Sequence, residues 1–478
     1  MRAGMRTTLL ERERRLHFVG VGGAGMSGIA ELCQRLGFVV SGCDLKATPV
    51  TARLARIGIT VDYGHHPNHL ASHLGEHLDA VVISSAVKFS NPEVAAARAR
   101  KIPVIPRAEM LGELLRMARV GIAVAGTHGK TTTTSLTGLI FEEAGLDPTV
   151  AIGGNLRAQG ANVRLGGDEY MIAEADESDA SFLLLTPAVA IVTNIDPEHL
   201  DHYGTMDRVH DAYLNFINRV PFYGAAVLGI DSVNVRGLLP QVRKPVITYG
   251  VAPDADLRAE KIFIDGLATR FTAVHKGTVL GVVTVPTPGH HVAMNALAAI
   301  AVAQELGIDF AVAVRALAKF GGISRRFEIK GEAGGRIVLD DYAHHPAEVR
   351  ATLAAARAAF KRRTIVIFQP HRYTRLRDQF EEFVTAFDDA DILYVDEVYS
   401  AGEEPIADVT ARRLCEVMRA RGHLGVRYLG DEPDGASKVA NESSPSDLII
   451  SLGAGDVYKM GERVLALLDE TGKINDRA

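Results

Sequence analysis

Gly126-Thr127-His128-Gly129-Lys130-Thr131-Thr132 follows the short apolar run Ile122 to Ala125 and leads into a helical pattern from Lys130 to Ala144. Apolar chain feeding a glycine-bearing turn and then a helix reads as a buried strand that delivers a helix N-terminus. Such a terminus attracts anions. Its first backbone N–H groups have no intrahelical partner, the helix dipole adds positive potential, and glycine lets the main chain approach phosphate oxygens. In that setting Lys130 reaches the outer phosphates of a nucleoside triphosphate and the Thr131 hydroxyl ligates magnesium. The usual phosphate-loop pattern begins with a glycine, and Val124 stands there, so the loop is a shortened variant.

Upstream lies a second glycine turn. Leu16 to Val19 reads as a strand, followed by Gly20-Val21-Gly22-Gly23-Ala24-Gly25-Met26-Ser27-Gly28, then apolar residues at helical spacing to Gly37, then a strand ending near Asp44. An acidic residue about twenty positions past such glycines is the layout of a dinucleotide fingerprint. Gly22, Gly23, Ala24, Gly25, Met26, Ser27 and Asp44 are therefore candidates to hold a diphosphate, belonging either to a nicotinamide cofactor or to a nucleotide sugar. Ser84 and Ser85, after the strand Ala80 to Ile83, and Arg107, after Ile102 to Ile105, sit where strand ends line a ligand crevice in open α/β sheets.

Downstream, Tyr170 to Ala173 delivers Glu174-Ala175-Asp176-Glu177-Ser178-Asp179, and Val189 to Thr193 delivers Asn194-Ile195-Asp196-Pro197-Glu198-His199. Carboxylates this dense repel one another unless solvated or shared with a cation. His199 alone reads equally as a surface residue or a ligand, because magnesium prefers oxygen. Residues 261–285 place apolar side chains two apart, an antiparallel addition to the sheet. Beyond Ser324 strands and helices alternate again, and their ends carry Asp340-Asp341-Tyr342-Ala343-His344-His345-Pro346 and Gln369-Pro370-His371-Arg372-Tyr373-Thr374-Arg375.

At 478 residues the chain exceeds one ordinary core; a prior of ~100 to 200 residues per domain gives about three. The fold class expected is α/β with three domains: Rossmann-like over 1–119, a central phosphate-loop ATPase-like sheet with an antiparallel addition over 120–324, and a second Rossmann-like sheet over 325–478. A net charge of −6 without a basic stripe excludes a dedicated nucleic-acid binder. Three cysteines, none in paired or metal-ligand spacing, suit a reducing compartment. No signal-peptide core and no bilayer-length apolar run is found, so a cytoplasmic protein is expected.

Taken together, GTHGKTTTT (126–134), EADESD (174–179), DPEHLDHY (196–203), RRF (325–327), DDYAHHP (340–346) and FQPHRYTR (368–375) resemble the Mur ligases of peptidoglycan precursor synthesis. The resemblance runs in order over nearly the whole chain. It implies that ATP phosphorylates the lactyl carboxylate of UDP-N-acetylmuramate and that the amine of L-alanine attacks the acyl phosphate; the sister branch that takes a murein peptide has a different N-terminal glycine motif. It further implies Thr131, Glu174 and His199 as ligands of Mg2+, with Mn2+ as an alternative, Asn295 near the adenine, and Arg326 reaching toward the γ-phosphate. Tyr342, His344, Arg372 and Arg375 correspond to the amino-acid face, with His344 the candidate for removing the amine proton. Two positions depart from the family pattern: Val292 where asparagine is usual, and Ala347 where threonine is usual. The chain is expected as a monomer or homodimer without nucleic-acid partners. Two other classes stay open on residues alone: a nicotinamide-dependent oxidoreductase built on Gly20 to Gly25, and an ATP-hydrolysing switch that needs no amino acid.

Overall fold

A computed structural model of the chain describes residues 14–72, 77–84, 86–156, 161–167 and 169–475. Three sheets organise these residues. The first has five parallel strands, with Arg15–Val19 at the centre, flanked by Val39–Asp44 and Thr60–Tyr63 on one side and by Ala80–Ile83 and Val104–Pro106 on the other. Strand order therefore reverses at Arg15–Val19. A crevice opens at such a reversal, outside the carboxyl ends of the strands, and the glycine turn lies there, leading into the helix Ala24–Arg35.

The central sheet has ten strands. Val120–Ala125 pairs in parallel with Val189–Val192 on one side and Tyr170–Glu174 on the other. All three are near-continuous apolar runs because helices cover both faces of the sheet. Side chains such as Ile122, Val124, Ile172 and Ile191 are fully buried, each contributing roughly 1.5–3 kcal/mol. The expected antiparallel addition is present as a meander of Leu257–Asp265, Ala268–His275 and Thr278–Val285.

The third sheet places the antiparallel strand Glu328–Ala333 beside the parallel strands Arg336–Asp341, Leu448–Leu452, Thr364–Phe368, Ile392–Val395 and Val426–Tyr428. The chain is thus α/β with three sheets.

Some local expectations shift. Leu376 to Phe387 reads as one helix, but the structure breaks it at Gln379 into Tyr373–Asp378 and Phe380–Ala386. The break lets Gln379 Nε2 donate to the Pro197 carbonyl at 2.8 Å, tying the third sheet's layer to the second. Among the described residues no helix is long and apolar enough to cross a membrane.

Candidate active site

The helix Lys130–Glu143 starts from Gly129, whose φ of +82° lies in the left-handed region. The loop before it is braced by the next strand end. His128 N donates to Asn194 Oδ1 at 2.8 Å, Thr193 Oγ1 donates to the His128 carbonyl at 2.6 Å, and Asp196 N donates to Thr127 Oγ1 at 2.9 Å. A Cβ at Gly129 would collide with Asn295 Oδ1. Gly129→Ala therefore combines that clash with a left-handed penalty of about 1–2 kcal/mol. The expected result is loss of triphosphate binding at retained bulk fold, read by calorimetry beside circular dichroism.

Lys130 Nζ is folded back onto its own loop, donating to the carbonyls of Gly126 (2.7 Å) and Thr127 (3.2 Å) and to Glu177 (2.8 Å). Burial opposes its charge, but Glu177 and Glu174 hold the ammonium's pKa above its ordinary value. Burial in turn pushes the Glu177 carboxyl up to about 7, against the pull of Lys130.

Thr131 Oγ1 donates to Glu174 at 2.9 Å, so two of the residues proposed as metal ligands meet. The third stands apart from that contact: His199 Nε2 lies 3.8 Å from Glu177 and 3.9 Å from Glu198. The ligand atoms of Glu177, Glu198 and His199 all fall within 4.8 Å of one another. Hard carboxylate oxygens beside a threonine hydroxyl suit magnesium, and the glycine cradle suits a triphosphate. Sequence reasoning quoted Glu177 and Glu198 inside their motifs without singling them out; which carboxylate of a dense run turns inward is decided by the loop that follows the strand.

A cavity of about 650 Å3 opens between this loop and the helix Pro346–Phe360, bordered by Gly129, Thr132, Asn295, Arg326 and Glu348. Asn295 and Arg326 thus face the same space as the loop. Val292, in place of the usual asparagine, is buried among apolar side chains and offers that space no polar group. Ala347 needs no hydroxyl, because His345 and Glu348 already form a capping box at this helix start.

His128 spans two domains. Its Nε2 lies 3.2 Å from Asp196 and its Nδ1 3.2 Å from Glu348. Burial disfavours the imidazolium, but the ion pair with Asp196 and the hydrogen bond with Glu348 outweigh it and raise the pKa to about 10. An unfolded histidine titrates near 6.5, so this bridge contributes fully below that pH and its contribution fades as the pH rises through about 10. The melting-temperature gap between the wild-type chain and His128→Asn should accordingly narrow from pH 6.5 to pH 10. A constant gap contradicts the charged bridge. Glu348 was not anticipated from sequence; its signal is its place three residues after His345, where a capping-box acid belongs.

The amino-acid candidates gather at the same domain junction. Arg375 donates to Glu198 at 2.7 Å and is 9% exposed. Arg372 is 39% exposed, and its guanidinium comes within 3.9 Å of Glu403. Both border a small cavity of about 120 Å3 together with Glu198, His199 and His345. Tyr342 lies beneath the guanidinium groups of Arg325 and Arg326, each 5.1 Å from its ring centre. His344 Nδ1 is 2.9 Å from the Tyr342 carbonyl, which can only accept, so Nδ1 carries the proton and Nε2 is the acceptor. Burial pushes this imidazole down to about 3, leaving it neutral at pH 7.

In the first sheet, Asp44 Oδ2 accepts from Gly22 N at 2.8 Å, linking the fingerprint acid to the glycine turn. Arg107 packs against Gly25, where a Cβ would lie 2.8 Å from Nη1, and Ser84 approaches Gly20. The Met26 and Ser27 amides are committed to the Gly23 carbonyl at 3.0 and 2.9 Å, and the Met26 side chain is buried in the core. These two shape the turn. Ala24 opens the helix, and Ser85 lies outside the described residues.

Family models cover the three sheets in turn: the Mur ligase family catalytic domain over 15–119, the Mur ligase middle domain over 124–303, and the Mur ligase glutamate ligase domain over 325–455. A UDP-N-acetylmuramate–L-alanine ligase of Anaeromyxobacter sp. (strain Fw109-5) is 52% identical over 96% of this chain and 98% of its own length. The chain belongs to the Mur ligase family. Among solved Mur ligases, the UDP-N-acetylmuramate-alanine ligase MurC of Thermotoga maritima matches with a TM-score of 0.77 at 27% identity, covering 96% of this chain and 99% of that one. A murein peptide ligase of Psychrobacter arcticus shares the fold with a TM-score of 0.65 at 24% identity, covering 95% and 99%.

Proposed function

We propose that this Mur ligase joins L-alanine to the lactyl carboxylate of UDP-N-acetylmuramate at the expense of ATP, releasing ADP and phosphate, in the cytoplasmic stage of peptidoglycan precursor synthesis. The observation that carries the reading is the junction itself: the nucleotide loop meets the third sheet's layer through His128 and Glu348, the carboxylate that also accepts from His344 N, while Arg372 and Arg375 border Glu198 and His199 beside it. The 52% identical ligase, alike over nearly its full length, supports the choice of substrates. In this reading residues 1–119 hold the UDP-sugar, 120–324 hold ATP, and 325–478 hold alanine, in a monomer or homodimer.

A carboxylate oxygen is a poor leaving group, so amide formation needs the carboxylate converted to an acyl phosphate. Catalysis is then positioning and charge neutralisation around the moving phosphoryl group. Loop amides and Lys130 neutralise the phosphates, with Arg326 approaching from the junction. Thr131 and Glu174, with His199 beside Glu177 and Glu198, would hold Mg2+, or Mn2+ in its place, which supplies charge neutralisation between phosphate oxygens. Arg372, the more exposed of the two arginines, is suited to a fork on the alanine carboxylate. His344 Nε2 accepts a hydrogen bond from the amine. A pKa near 3 makes it a better orienter of that amine than a final proton acceptor.

The test is ADP release with UDP-N-acetylmuramate and single amino acids, products weighed by mass spectrometry. Turnover with L-alanine and none with the murein tripeptide is the expected result. ADP release that ignores the amino acid would favour the switch, and bound nicotinamide nucleotide would favour the oxidoreductase.

A further inference from the structure

Away from the nucleotide loop, five side chains with metal-ligating atoms converge inside the first sheet. His17 comes from its central strand, Cys43 from the end of Val39–Asp44, His65 and His69 from the chain after Thr60–Tyr63, and Glu93 from the first turn of the helix Pro92–Ala99. Glu93 sits in the middle. Its Oε2 is 2.8 Å from His17 Nε2 and 3.0 Å from Cys43 Sγ; its Oε1 is 3.3 Å from His65 Nδ1 and 3.1 Å from His69 Nδ1. Cys43 Sγ and His65 Nδ1 are 3.3 Å apart. The side chains of His17 and Glu93 have no exposure at all.

We propose that His17, Cys43 and Glu93 form a binding site for a zinc-class divalent cation that braces the glycine turn of the first domain, with His65 beside it on the second oxygen of Glu93. The donor set is the first reason. One thiol, imidazole nitrogens and one carboxylate are what borderline-soft zinc takes, and magnesium and calcium do not. Charge is the second: a dication against one thiolate and one carboxylate, with neutral imidazoles, leaves a buried site with no net charge, which low-dielectric surroundings favour. Geometry is the third. Donors at zinc bond lengths stand roughly 3.3–3.6 Å apart in a tetrahedron; the ligand atoms of His17, Cys43 and Glu93 all lie within 4.8 Å of one another, so small side-chain shifts admit the ion and leave its fourth position to His65 or water. The outer contact is fitting as well, since His17 Nδ1 pairs with Ser41 Oγ at 2.8 Å, orienting Nε2 inward as metal-bound histidines are oriented. His69, four positions after His65, steadies the outer oxygen of Glu93.

Binding forms a metal–sulfur bond and releases the Cys43 thiol proton to solvent, with no change of oxidation state. Its consequence reaches the ligand crevice. The Cys43 carbonyl accepts from the amides of Gly20 and Val21, both at 2.9 Å, and the neighbouring Asp44 holds Gly22 N. An ion fixing Cys43 therefore fixes the turn assigned to the UDP-sugar, a site distinct from the Glu177, Glu198 and His199 group.

The test uses the full chain, freed of metal with a chelator and titrated with Co2+ and then Zn2+. The expected result is one equivalent of cobalt with a sulfur-to-cobalt charge-transfer band, displaced by zinc, and a raised melting midpoint. Cys43→Ser should lose that band and weaken zinc binding more than about 10-fold, whereas His199→Ala should keep it. A folded wild-type chain that binds cobalt without a thiolate band, or only through His199, overturns the proposal, as does Cys43→Ser binding zinc as tightly as wild type. The wild-type spectrum decides the matter even where the serine variant fails to fold.

Discussion

Lys130→Ala lowers acyl-phosphate formation at least about 10³-fold, the scale on which single charge-stabilising groups act in phosphoryl transfer. In the structure the ammonium is held 2.7 Å from the Gly126 carbonyl and 2.8 Å from Glu177, contacts it can exchange for phosphate oxygens. Alanine at this position removes the positive charge and leaves Glu177 facing Glu198 and His199 without its partner. With its pKa already near 7, Glu177 then takes up a proton, so the chain stays folded while the transfer fails. Trapping the acyl phosphate with hydroxylamine, in the presence of ATP and UDP-N-acetylmuramate, reads the step without the amino acid. Hydroxamate at the wild-type rate contradicts the role given to the loop.

Glu198→Ala produces the largest loss of stability expected of any single change at the domain junction. Glu198 and Arg375 are each 9% exposed and 2.7 Å apart, one on the central sheet's loop and the other on the third sheet's helix Tyr373–Asp378. Burial opposes charge on Glu198, but Arg375 above all, with His128 farther off, holds its carboxyl well below the usual range. Removing one member of a buried pair costs about 3–5 kcal/mol. The lower end applies here, because Arg375 Nη1 keeps its bond to the His371 carbonyl at 2.9 Å. Melting of Glu198→Ala, Arg375→Ala and the double variant measures this, with the double expected to lose little more than the worse single. Additive losses would mean that the two residues act separately. Since the pair ties two domains, the same variants should scatter with a larger radius of gyration. A motion of this kind fits a hinge beside Arg325 and Phe327, whose φ values of 60° and 46° mark strained backbone at the junction.

The loop and its strand were legible because apolar runs and glycine turns are local signals. Val120–Ala125 and Lys130–Glu143 follow directly from them. Short strands such as Thr60–Tyr63 and Val426–Tyr428 carry too little periodicity to be seen and exist because a neighbouring strand offers its edge. At the site, Lys130 and Thr131 could be read from spacing and Glu174 from the family resemblance, but the division of His199 from Thr131 and its grouping with Glu177 and Glu198 depend on how two loops turn. Arg372 and Arg375 look equivalent in sequence. Only the domain contact separates them, burying one against Glu198 and leaving the other open. The Cys43 cluster escaped for the same reason: its members come from four stretches that meet only once the first sheet forms.

The account stands on the carboxylate of the sugar being phosphorylated before the amide forms, and the fate of one oxygen atom tests that directly. UDP-N-acetylmuramate labelled with 18O in its lactyl carboxylate, turned over with ATP and L-alanine, should transfer label to the inorganic phosphate released. Phosphate free of label, with both heavy oxygens otherwise accounted for, would contradict it.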